Sequence, residues 1–253
     1  MQSETLKKTK AAKFFAAVLT AVVLASAAAA IPVCAVLTAG EARPVIVVDA
    51  GHGGLDGGVV GTRTGVKESD LNLAVALLLG GMLEEEGFDV VFTRAGKGGL
   101  YLDGERGKKS ADMRRRADII ARSGAVGVVS IHMNTFSDPS RRGAQVFFDA
   151  SSSRGRAFAD AVQTELNRSF NLPDAGREFA ALAADKFILQ QTSAPSVIVE
   201  CGFLSNPDDE RNLSDEGYRA RFALALAGVI ARELTPRLTL RDGFSGDVLT
   251  GFC

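Results

Sequence analysis

The stretch VIVVDAGHGG, Val45 to Gly54, sets a run of strand-forming residues directly against a histidine held between glycines. Four consecutive Val/Ile residues, bounded by Pro44 and a glycine-rich loop, fit a strand covered on both faces. His52 is one of two histidines in 253 residues, and the other has a similar setting: SIHMN puts His132 at the carboxyl end of a second β-branched run, Val126–His132. A third run, SVIVECGF, carries Glu200 directly after Val197, Ile198 and Val199. In open α/β sheets the functional crevice lies outside the carboxyl ends of the strands. If these three strands run parallel, His52, His132 and Glu200 meet at one sheet edge.

Between and around these runs the pattern alternates. Leu71, Ala74, Val75, Leu78, Leu79, Met82 and Leu83 recur at helical spacing, with Gly87 as the stop. Phe88–Thr93 reads as a strand, Asp112–Ser123 as a basic helix, Gly143–Asp149 as a strand, Arg154–Phe170 as a helix, Ser196–Cys201 as a strand and Glu216–Leu234 as a closing helix. Ala95–Ser110, rich in Gly, Lys and Asp, reads as a surface loop. Strands interleaved with helices predict an α/β fold with a largely parallel or mixed sheet covered on both faces. Residues 41–236 form the expected catalytic domain, and 237–253 a tail without periodicity.

The balance of 29 Lys+Arg against 30 Asp+Glu gives no charge excess that would draw the chain to nucleic acid. The exception to this even distribution is the N-terminus. Lys7, Lys8, Lys10 and Lys13 precede a 27-residue run, Phe14 to Gly40, without a charged residue. A bilayer core of roughly 30 Å needs about 20 apolar residues as a helix, so residues 1–40 read as a signal anchor or a cleaved signal peptide. The length of the run favours the anchor, while the small residues Ser26 to Ala30 offer cleavage sites. In either case lysines before the run place the residues after Gly40 outside the cytoplasm, with the membrane as a partner of the anchored form. The three cysteines, at 34, 201 and 253, make no disulfide framework. Lipidation at Cys34 is disfavoured, because Ile31-Pro32-Val33 lacks the small residue expected before it.

Imidazole is the commonest metal ligand, and catalytic zinc takes three protein ligands plus a water. Two histidines at strand ends leave a third ligand to find among Asp49, Asp56, Glu68, Asp70 and Glu200. Glu68 closes the glycine loop that starts at His52 and stands just before the helix, where a carboxylate also suits the helix dipole. Asp49 and Asn134 are candidates for orienting the histidines by hydrogen bonds.

Four separate motifs stand in a fixed order: VDAGHGGLDGGVVG, KESDLNLA, SIHMN and PSVIVECGFLSNPDDERNL. Together they resemble the zinc-dependent N-acetylmuramoyl-L-alanine amidases of bacterial cell walls, from about Pro44 to Leu234. The compact catalytic unit behind one apolar segment is most similar to the germination-specific, spore-cortex branch of that family. The resemblance implies a twisted, mostly parallel six-stranded sheet with helices on both faces. It also implies that Zn2+ is held by His52, Glu68 and His132, that Glu200 is the catalytic glutamate, and that the substrate is peptidoglycan, glycan strands bearing stem peptides. It names no protein partner. Ala50 stands where many relatives have proline, and Met133 where many have alanine. A zinc-site protein that binds peptidoglycan without cutting it is the alternative of a different class, but it would have no need of Glu200. A zinc carboxypeptidase is a further alternative, although its H-E-x-x-H motif is absent.

Overall fold

The computed structural model describes residues 42–235. The expected anchor or signal segment, 1–40, and the tail, 237–253, lie outside the described residues. Among those described, no helix is long and apolar enough to cross a membrane.

Six strands form one sheet: β1 (Val45–Ala50), β2 (Asp89–Phe92), β3 (Gly127–Asn134), β4 (Gln145–Phe148), β5 (Leu182–Ala183) and β6 (Ser196–Phe203). Their spatial order is β2-β1-β3-β6-β4-β5. The pairs β1–β2, β1–β3, β3–β6 and β4–β5 are parallel, and β4 runs antiparallel to β6. The three strands that carry the chemistry-bearing runs are therefore adjacent and parallel, as their sequences predict. The register sets His132 directly opposite Glu200.

Helices α1 (Glu68–Glu85), α2 (Lys108–Arg122), α3 (Ser153–Leu166), α4 (Pro207–Ser214) and α5 (Glu216–Leu234) complete the layers. Strand alternation divides the core. Ile46, Val48, Val129, Ile131, Val197 and Val199 point into the larger cluster with Leu79, Leu83, Phe158, Phe222 and Leu226 of α1, α3 and α5. Val47, Val128 and Ile198 point the other way, against Ile120 of α2 and against Ile188 and Leu189 of a short 3-10 turn, Phe187–Gln190. The same alternation gives His132 and Glu200 to this thinner face, two residues on from Ser130 and Ile198. With one long helix covering it, the thinner face leaves the strand ends open.

Several boundaries differ from the sequence reading, each for a local reason. α2 begins at Lys108 rather than Asp112, because Lys108, Lys109 and Ser110 carry no apolar signal yet extend the helix from Gly107, whose φ of 65° caps it. α3 stops at Leu166, and residues Asn167–Ala175 continue as a π-helix containing Pro173. The widened turn lets Asn171 accept from the Ala144 amide at 2.7 Å and donate to the Ala144 carbonyl at 2.9 Å. Asn167 donates to the Phe179 carbonyl at 2.8 Å. Strand β5 and the 3-10 turn are too short for a pattern to reveal.

Candidate active site

After β1 the chain turns sharply, and His52, with φ 59°, is the one non-glycine residue among those described in the left-handed region. A β-carbon makes that conformation unfavourable, so the surroundings must hold it. Two buried arginines do so. Arg94 donates to the carbonyls of Ala50 and Gly51, each at 2.9 Å. Arg116 donates to the carbonyls of Ala50 and His52. Arg116 also bonds Asp49 and Asp112, both at 2.6 Å, in a nearly solvent-free layer beneath the loop. Gly51 is required for a different reason: a side chain there would strike the His132 ring. Gly58, at φ 66°, likewise has no room for one beside the Glu68 carboxylate.

His52, Glu68 and His132 come together in one group whose ligating atoms all lie within 4.8 Å of one another. Glu68 Oε1 is 3.2 Å from His52 Nε2 and 3.0 Å from His132 Nδ1. The Glu68 carboxylate is fixed further by the amides of Val59 at 2.8 Å and Met133 at 3.1 Å and by the Asn72 side chain at 3.2 Å. Burial would raise its pKa, but the two histidines outweigh that and hold the carboxyl well below the usual range. His52 has an acid at each ring nitrogen, since Nδ1 lies 3.0 Å from Asp56 Oδ1. Burial alone would lower its pKa, yet Glu68 and Asp56 raise it above 6.5. An imidazole so placed must carry two protons or give one nitrogen to a cation, because the neutral ring has a single N–H. The donor set fits a cation: two nitrogens and a carboxylate match a catalytic zinc site, and donors around one tetrahedral ion sit about 3.3 Å apart.

Glu200 stands outside this group on the neighbouring strand. Its Oε2 is buried without a hydrogen-bond partner. Burial, with a smaller push from Glu68, carries its pKa up to about 7 against the opposing pull of His132 and His52. A carboxyl poised there can both take and release a proton near neutrality. These residues open into a cavity of about 830 Å³ bordered by Leu55, Tyr101, Lys109, Met113, Lys186 and Phe187, among others.

The other candidates fall elsewhere. Asp49 bonds Thr93, Ser130 and Arg116 and neither histidine, so it anchors the strand end instead of orienting a ring. Asn134 caps its own strand by accepting from the Thr135 amide at 2.8 Å. Asp70 sits in the first turn of α1, apart from the group. Asp56 lies on the far side of His52, where it also accepts from Gly58 at 3.1 Å and pairs with Lys109 at 3.1 Å. Orientation of the group therefore falls to Asp56, a ligand candidate by sequence, and to Asn72, which no sequence signal singles out. Asn72 sits one helical turn after Glu68, a spacing that puts both on one face. The Ala50 and Met133 departures are harmless, since both are buried in the core and the contact at 133 is made by its backbone.

Known proteins resemble this chain in sequence and in fold. The germination-specific N-acetylmuramoyl-L-alanine amidase of Bacillus subtilis is 33% identical over 196 residues, covering 76% of this chain and 81% of that protein. The amidase AmiA of Escherichia coli is 30% identical over 237 residues, covering 75% and 76%. Among solved structures, the CwlD amidase of Clostridioides difficile, determined in complex with the GerS lipoprotein, superposes with a TM-score of 0.72 at 33% identity, covering 76% of this chain and 98% of that one. Residues 46–232 match the N-acetylmuramoyl-L-alanine amidase family, and the chain belongs to that family of peptidoglycan-cleaving enzymes.

Proposed function

We propose that the chain is a zinc amidase in which His52, Glu68 and His132 hold the ion and Glu200 moves the proton. The bond cut is the amide between the lactyl group of N-acetylmuramic acid and L-alanine of the stem peptide. The observation that carries this reading is the His52–Glu68–His132 group with the unpartnered Glu200 carboxylate beside it. Held by His52, Glu68 and His132, zinc would lower the pKa of water to about 7 and polarise the carbonyl under attack. Glu200 accepts the proton of the attacking water and delivers it to the departing amine nitrogen. Asp56 and Asn72 keep His52 and Glu68 aimed while this happens. The buried arginines hold the loop that carries His52.

The full chain incubated with defined muropeptides should release stem peptides from their glycan, read by mass spectrometry of both products. A chelator should abolish release and added zinc restore it. Shortened peptides would replace this reading with a carboxypeptidase, and intact substrate with a binding protein.

The work site we infer is the cell wall outside the cytoplasm, with a place in spore cortex maturation. Support comes from the lysine-flanked run 14–40 and from the germination-specific relative. The full-length protein is expected in the membrane fraction, released by detergent and not by salt. A soluble product that begins near Ala30 or Gly40 would mean that the segment is cleaved. A lipoprotein partner is a further expectation, drawn from the relative solved with one.

A further inference from the structure

The cavity is bordered unevenly by charge. On the β1 side, Lys109 is paired with Asp56 at 3.1 Å and Lys108 lies over the Tyr101 ring, 5.1 Å from its centre. Arg116, on the floor, is consumed by Asp49 and Asp112. On the β6 side stand Lys186 and the half-exposed Phe187, at the start of the 3-10 turn whose Ile188 packs with Ile198, two residues before Glu200. Among the described residues no acid pairs with Lys186, although its charge reaches Glu200 and works against the rise caused by burial. This wall thus offers a cation and an apolar surface that the protein itself does not use.

The substrate class supplies the complement. A stem peptide is anionic, and its second residue is an acid whose α-carboxyl occurs free or as the amide. That residue follows the L-alanine whose bond is cut, so its carboxyl lies within a few bonds of the reacting carbonyl. We propose that Lys186 is a specificity residue that reads this α-carboxylate, with Phe187 as the apolar wall along which the stem peptide lies. The proposal rests on the amidase reading above and names the part of the substrate that the β6 side recognises. A lysine that is only a solvated surface residue would not distinguish the two forms of the substrate.

Two muropeptides that differ only in a free α-carboxylate or a carboxamide at the second stem residue separate these cases. The zinc-loaded full chain should cleave the carboxylate form with the higher kcat/KM. In Lys186→Ala the ratio of the two kcat/KM values should fall about tenfold, the size of one charge-assisted contact. Lys186→Glu should invert the preference. Phe187→Ala should raise KM for both substrates and leave their ratio unchanged. An unchanged ratio in both Lys186 variants overturns the subsite while leaving the amidase reading intact. No cleavage of either substrate by the unsubstituted chain overturns the amidase reading and the subsite with it.

Discussion

Glu200→Gln should lower muropeptide turnover by about 10²–10⁴-fold, the loss typical of a removed general acid–base group, with zinc content unchanged. Glutamine keeps the size and a carbonyl oxygen but cannot accept a proton from water. It also cannot hand one to the leaving nitrogen. Metal should stay, because the three groups within 4.8 Å of one another do not include residue 200. His132→Ala provides the contrast: it should lose the metal together with activity while the sheet persists. Metal analysis beside steady-state rates distinguishes the two roles. Zinc lost from the Glu200 variant would make that residue a ligand, and full activity in it would refute the proton transfer.

The second large effect concerns stability. Arg116→Met should cost about 3–5 kcal/mol, the usual result of breaking a buried ion pair by removing one partner. Arg116 and Asp49 are each 2% exposed, so neither can turn to water when the other is gone. Burial by itself would raise the Asp49 pKa, but Arg116 with Ser130 and Thr93 outweighs it and brings the carboxyl below 3.8. A carboxyl depressed in the folded state stabilises the fold above its unfolded value and loses that contribution as pH falls through the folded one. The gap between the variant and the unsubstituted protein should therefore be full at neutral pH and narrow below 3.8. Denaturant unfolding at several pH values measures it. A gap that does not depend on pH would mean that Arg116 acts through packing alone.

The parts of the fold that the sequence made legible are those with long or continuous signals. β1, β3 and β6 are written as β-branched runs, and α5 ends where its apolar periodicity ends. The reversal of β4 and β5 could not be read, because a strand's own side chains do not encode the direction of its partner. The helix at Pro207–Ser214 lacks an apolar periodicity and is marked by its start alone: Asn206 caps it, Pro207 opens it and three acids fill its first turn. At the site, His52, Glu68, His132 and Glu200 stand out because His52 follows β1, Glu68 opens α1, and His132 and Glu200 directly follow apolar residues within β3 and β6. Asp56 stands in the sequence only as a ligand candidate and Asn72 not at all, since their orienting roles depend on which atoms the fold brings to His52 Nδ1 and Glu68 Oε1. The arginine layer is equally hidden, as nothing in the sequence around Arg94 and Arg116 distinguishes a buried arginine from an exposed one.

The His52–Glu68–His132 group has a consequence for the life of the chain before it works. Its three donors come from the turn after β1, the first turn of α1 and the end of β3, and the parallel pairing of β1 with β3 must form before they meet. Closing that long a loop carries an entropy cost that only the folded sheet repays, so the unfolded chain carries no such group. An ion held by this group would be taken up where the sheet closes, and which metal enters would depend on what is supplied there, since affinity order alone does not favour zinc. Folding and metal choice would thus be one event, set by place.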